Sequence, residues 1–247
     1  MANKILKKTA ILIFWLLVWQ VLSLIISHSL IIPSPLNTLK ALIYLAQTKD
    51  FYLSVLYSLM RIILGFTLGV VVGFLCGLLS AKSLTFKEIT APAVQLIKAV
   101  PVASFIILAF FWFKSSNLPI FIAFLMVLPI IWSTTETALR GIDTKYIEMG
   151  QVFRLSKVQI FFKIKLPLIF PAFISSALTS LGFAWKSGIA AEVITKPLYS
   201  LGSMLEQSKT HLEIAEVFAL TAVVAMLSLL LEITLKKLLG RYNHVET

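Results

Sequence analysis

Cysteine is almost missing from this chain: Cys76 is the single one in 247 residues, so neither an intramolecular disulfide nor a multi-cysteine metal site can form. Cys76 sits in an apolar run and reads as a small core residue. Histidine is nearly as scarce. His28, His211 and His244 fall outside the apolar runs or at their ends, with no His-Glu-x-x-His pair and no Gly-x-Ser-x-Gly elbow, which argues against an intramembrane metalloprotease or serine hydrolase. A Gly-x-x-x-x-Gly-Lys-Ser/Thr loop is absent too, so the chain cannot itself hold ATP in the P-loop manner. Acidic residues are few, 11 against 22 basic ones.

What the sequence has in quantity is apolar side chain: 59% of residues are hydrophobic, 13% are charged and the mean hydropathy is +0.94. That balance is far from the near-even mixture of soluble domains and marks an integral membrane protein. The formal charge of +11 could suggest nucleic acid, but there is no basic helix or aromatic RNA-binding signature, and the inner loops of membrane proteins are basic anyway.

Measured against the roughly 20 residues that cross a hydrocarbon core of about 30 Å, the apolar runs predict six spans. They are Ala10 to Ser27, Leu59 to Ala81, Ala93 to Phe113, Leu118 to Ala138, Leu168 to Ala190 and Ile214 to Leu235. Lys4, Lys7 and Lys8 before the first run imitate a secretory signal, but the run is span-length and no small-x-small cleavage site follows, so it reads as a retained helix. With both termini inside, fourteen lysines and arginines face the cytoplasm and six the exterior, with Lys98 and Lys186 in or near spans; the opposite orientation inverts this bias.

Pro33-Ser34-Pro35 breaks the chain after the first span. The segment Leu36 to Leu56, interrupted by Lys40, Lys49 and Asp50, predicts one or two surface helices outside the membrane. Residues 1–56 therefore read as an added helix plus connector, and 57–242 as a five-helix core. Within the second span Gly65, Gly69, Gly73 and Gly77 recur every fourth residue on one helical stripe, a pattern that lets another backbone approach closely.

Between the fourth and fifth spans, residues 143–167 carry seven charges: Asp143, Lys145, Glu148, Arg154, Lys157, Lys163 and Lys165. Each would cost about 2.5–3.5 kcal/mol in hydrocarbon, so this loop belongs in water. Asp143 or Thr144 can cap a short helix through Val152. Ser156 and Gln159 have capping-box spacing, predicting a second helix from Lys157 towards Lys165 that Pro167 ends. Tyr146, Met149, Phe153, Ile164 and their apolar neighbours exceed what an exposed loop should carry, so they pack on the bundle or against a partner.

Here the pattern resembles the inner-membrane permease subunits of ATP-binding cassette importers. Their cytoplasmic signature reads Glu-Ala-Ala, three residues, Gly, nine residues, Ile, one residue, Leu-Pro. Glu148, Ile164, Leu166 and Pro167 match it, Met149 and Gly150 stand where alanines are usual, and Arg154 replaces the glycine. A non-glycine residue forced to positive φ there costs on the order of 1 kcal/mol. Ile97-Lys98-Ala99-Val100-Pro101 and the stretch Phe183 to Glu192 are similar to the nitrate, sulfonate and taurine branch.

The resemblance implies an all-α integral membrane protein of the bacterial inner membrane: six transmembrane helices with a coupling-helix pair between the fourth and fifth. It also implies a second permease copy as a homodimer, two ATPase subunits that bind ATP and Mg, an extracytoplasmic substrate-binding protein, and no cofactor, metal or nucleic acid on this chain. Tyr146, Glu148, Met149, Gly150, Phe153, Arg154, Ser156, Ile164, Leu166 and Pro167 would form the ATPase-coupling surface. ATP binding must favour one state of the bundle over the other. Glu148 either pairs with a basic residue of the ATPase or is a solvated helix acid.

Lys186 and Glu192 are ionisable groups in or at the fifth span, which makes each a functional candidate. Lys186 either attracts an anionic solute or pairs with an acid such as Glu136. Glu192, too far along the helix for an i,i+4 pair with Lys186, either gates the outer mouth or sits at the interface. Ser176, Thr179 and Ser180 give that span a mildly polar side, suited to a solute path or to helix–helix hydrogen bonds. A secondary transporter driven by an ion gradient is the alternative reading.

Overall fold

The computed structural model describes residues 2–26 and 31–240; Ser27, His28, Arg241 and His244 lie outside the described residues. Among the described residues every regular element is helical: α1 (Ala2–Ile26), α2 (Pro35–Leu45), α3 (Lys49–Lys82), α4 (Leu84–Ala99), α5 (Val102–Ala109), α6 (Leu118–Arg140), α7 (Thr144–Val152), α8 (Lys157–Ile160), a π turn (Phe161–Lys165), α9 (Leu166–Thr195), α10 (Leu201–Thr210) and α11 (Ile214–Gly240).

The four glycines of α3 decide the centre of the bundle. All four are buried and face α6, where Ala123, Val127, Ile131 and Thr135 recur with the same four-residue step. A Cβ at Gly69 would stand 2.6 Å from Cβ of Val127, and one at Gly77 2.6 Å from Cβ of Thr135, so only glycine permits this approach. The stripe is a packing seam. The other face of α6 packs on α9, and buried Ile62, Ile131, Ala184, Trp185, Leu201 and Leu220 join α3, α6, α9, α10 and α11 in one core. Trp185 Nε1 donates to the Val224 carbonyl at 3.0 Å, tying α9 to α11.

Helix α1 stands at the edge, apolar and largely exposed apart from a half-buried stripe through Trp19, Ser23 and Ile26, as a span facing lipid would be. Its attachments are few. Trp19 stacks on Phe218 at 5.9 Å between ring centres and donates to the Pro33 carbonyl at 3.0 Å. Helix α2 starts as its sequence suggests, with Ser34 accepting from the Asn37 amide at 3.2 Å and Pro35 in the first turn.

Three expectations change. The third span is not continuous: α4 and α5 meet at 104° across Val100-Pro101. Proline lacks the amide a helix needs and drives the preceding residue extended, and Val100 sits at φ −80°, ψ 133°. At about 1.5 Å per residue, α4 is about 24 Å long and α5 about 12 Å, so neither crosses alone. The second span starts at Lys49, earlier than Leu59, so the boundary expected at residues 56 and 57 cuts one unbroken helix. Lys49 and Asp50 lie in its first turn, where an acid is favourable. Pro167, finally, does not end the second coupling helix. The π turn lets the Leu166 amide reach back to the Phe161 carbonyl, a wider ring that accommodates the proline, and one helix runs from Lys157 to Thr195.

Candidate functional site

At the end of the bundle where α3 finishes with Lys82, α7 and α8 form a compact pair. Asp143 caps α7, its Oδ1 accepting from the Lys145 amide at 2.9 Å. Helix α7 closes with the Arg154 amide donating to the Gln151 carbonyl at 2.8 Å and the Leu155 amide to the Gly150 carbonyl at 3.0 Å. That is a Schellman ending, which requires a left-handed residue, and Arg154 supplies it at φ 54°. Ser156 and Gln159 then form the predicted capping box, with bonds of 2.8 and 3.2 Å.

The expected coupling residues divide by what they touch. Gly150 and Ile164 are buried and press the two short helices together: a Cβ at Gly150 would meet Ile164 Cδ1 at 2.8 Å. Tyr146, Glu148, Met149, Phe153, Arg154, Ser156 and Pro167 are exposed, and Leu166 is half-buried. Phe153 is 71% exposed and Val152 79%, at a water-facing end where aromatic and branched side chains are costly to leave bare.

A second surface lies along α9. Ser175, Thr179, Gly182 and Lys186 follow steps of four, three and four residues on one stripe. With Phe183, Glu232 and Lys236 they line a recess of about 430 Å³. A Cβ at Gly182 would meet nothing within 4 Å, so the middle of the stripe is open among the described residues, with α11 flanking it through Glu232 and Lys236. Among the described residues Lys186 makes no ion pair, and Glu136 is instead engaged by Lys87 at 2.6 Å and Arg140 at 3.1 Å. Ser176 and Ser180 are turned away from the recess, buried, and bonded to the Phe173 and Ala177 carbonyls of their own helix.

Glu192 is also elsewhere: it is fully buried at the far end of α9, remote from the coupling helices along the rod. Ser58 donates to its Oε2 at 2.7 Å, the Gly202 amide to the same oxygen at 3.2 Å, and Arg61 lies 3.4 Å from Oε1. Arg61 continues outward, donating to the Tyr199 and Leu198 carbonyls at 2.9 Å each. Neither Ser58 nor Arg61 stands out in the sequence, Arg61 being one of the six basic residues expected on the exterior. They stand on α3, 134 and 131 residues before Glu192, so no helical periodicity connects them with it. On the neighbouring α10, hydrogen bonds from Lys196 and then Lys209 hold the Glu206 carboxyl below its usual range.

The family model described as binding-protein-dependent transport system inner membrane component matches residues 69–242. The taurine transport system permease protein TauC of Escherichia coli (strain K12) is 26% identical over 229 residues, covering 90% of this chain and 83% of that protein. The nitrate import permease protein NrtB of Synechocystis sp. is 25% identical, covering 93% and 86%. The bicarbonate transport system permease protein CmpB of Synechococcus elongatus is 23% identical, covering 88% and 82%. Among solved structures, one of the inward-facing MetNI methionine ABC transporter superposes with a TM-score of 0.65 at 16% identity, covering 82% of this chain and 98% of that one, a likeness of fold.

Proposed function

Because the chain belongs to the family of binding-protein-dependent transport system inner membrane components, the permease subunits of ATP-binding cassette importers, we propose that its two surfaces divide the work of moving a solute. The exposed face of α7 and α8, with Tyr146, Glu148, Met149 and Phe153 at its centre, seats on an ATPase subunit that binds ATP and Mg. Two permease copies each engage one such subunit. The termini and the coupling pair lie in the cytoplasm, as the excess of basic residues at that end supports, and a solute-binding protein docks at the opposite end. The gradient-driven alternative is set aside by the family match.

The observation that carries this reading is the bare apolar face on two firmly capped helices, one of which continues as α9 without a break. A transported solute would pass along the α9 stripe. An ammonium group directed at hydrocarbon costs about 2.5–3.5 kcal/mol, so the uncovered Lys186 belongs in a watery path between two copies. The names of the relatives, taurine, nitrate and bicarbonate, together with that charge, support a small anionic solute.

The test is capture and uptake. Truncating Met149 and Phe153 to alanine should weaken capture of the ATPase subunit by about tenfold or more, as loss of buried anchors does, and ATP-driven uptake should fall with it. Unchanged capture and uptake would remove this surface from the mechanism. Uptake by the permease alone in liposomes without ATP would restore the gradient-driven reading.

A further inference from the structure

The helix that begins at the coupling surface ends at the Glu192 cluster. From Lys157 to Thr195 it has 39 residues, about 58 Å at 1.5 Å per residue. In its last turn the Glu192 carboxylate leaves α9 and meets the N-terminus of α10, accepting from the Gly202 amide at 3.2 Å while Ser58 Oγ accepts from the Leu201 amide at 2.9 Å. An anion at a helix N-terminus is favourable, and here it joins two elements. The contact is close: a Cβ at Gly202 would stand 2.5 Å from the Val193 amide nitrogen.

The segment so held is strained on both sides. Lys196 at φ 47° and Tyr199 at φ 48° precede α10, and Leu212 at φ 59° follows it. Such conformations persist in residues with side chains only where the surroundings impose them. For the first turn the restraint is visible, since Arg61 clamps the Leu198 and Tyr199 carbonyls and its guanidinium lies 5.5 Å from the Tyr57 ring centre.

We propose that Glu192, with Ser58 and Arg61, is a latch that makes α10 follow the α8–α9 rod, so that these three are positioning residues of the transport cycle. Movement imposed at the coupling surface is delivered at the far end of the rod to the α10 segment, which shifts as a unit on its strained flanks. This rests on the permease reading given above. A carboxylate sharing one oxygen between α3 and α10 and the other with Arg61 is suited to this, because both neighbouring helices must move when it moves.

The experiment uses the full importer in proteoliposomes, with ATPase subunits and binding protein, and measures uptake and ATP hydrolysis together. Glu192→Gln keeps the shape and weakens the ion pair. Solute moved per ATP should fall about tenfold, within the range of coupling energies between sites, with complex yield unchanged and Glu192→Asp recovering part of the loss. A fall in uptake matched by the fall in assembled complex would overturn the latch in favour of a purely structural role, as would unchanged solute per ATP. A second readout is labelling of Leu198→Cys in a Cys76→Ser background. ATP should change the labelling rate in that parent and not when Glu192→Gln is added; an equal change in both overturns the latch. Absence of ATP-driven uptake in the unaltered complex would instead remove the permease reading itself.

Discussion

Arg154 shows how much one residue can say. Read in sequence, it replaces a glycine at the position where two short helices must turn, and the turn is indeed made at φ 54°, by a residue whose Cβ opposes it. Returning it to glycine should relieve strain of about 1 kcal/mol, part of which is offset by the freer unfolded chain. Thermal unfolding in detergent should therefore move upward for Arg154→Gly and downward for Arg154→Val, since a branched side chain tolerates the left-handed region least. Equal midpoints for the two variants would show that the loop does not hold this residue in its left-handed form. Glu192 marks the limit of such reading. Its charge near the end of the fifth span was legible, but its partners come from α3 and α10, 134 and 10 residues away, and nothing in the spacing of Ser58 or Arg61 declared them.

At the scale of whole helices, the four-residue glycine step was legible because a single periodicity fixes which side of α3 is bare, though not which helix fills it. Filling the seam gives a direct test. At Gly73 a new Cβ would stand 2.9 Å from the Leu128 carbonyl oxygen, a backbone atom that cannot swing aside, so α3 and α6 must part. Gly73→Ala should lower stability by about 1–3 kcal/mol, the usual cost of overpacking, read as a lower midpoint in detergent; an unchanged midpoint would mean that the two helices are not seated this closely. Two other elements were misjudged for opposite reasons. Hydropathy carried the third span across Pro101, although that proline alone ends α4. Proline chemistry in turn ended the second coupling helix at Pro167, although a π turn can carry a helix past a proline without a break.

For the molecule as a whole, the asymmetry between two exposed faces predicts where the proposed second copy would meet this one. The outer face of α3 offers Leu68, Val71, Leu75 and Leu79, all apolar and about half exposed, which hydrocarbon satisfies at no cost. The α9 stripe offers Lys186, whose charge hydrocarbon does not satisfy, beside Ser175 and Thr179. Lipid therefore suits the first, and a water-lined seam between two permease copies suits the second. With Cys76 replaced by serine, a cysteine at Gly182, where a new side chain meets nothing within 4 Å, should join two copies through a bifunctional thiol reagent and give a dimer-sized species in membranes. A cysteine at Leu75 should stay monomeric under the same treatment. Were Leu75→Cys to cross-link and Gly182→Cys not, the two copies would meet along α3, and Lys186 would lose the watery neighbour that its charge requires.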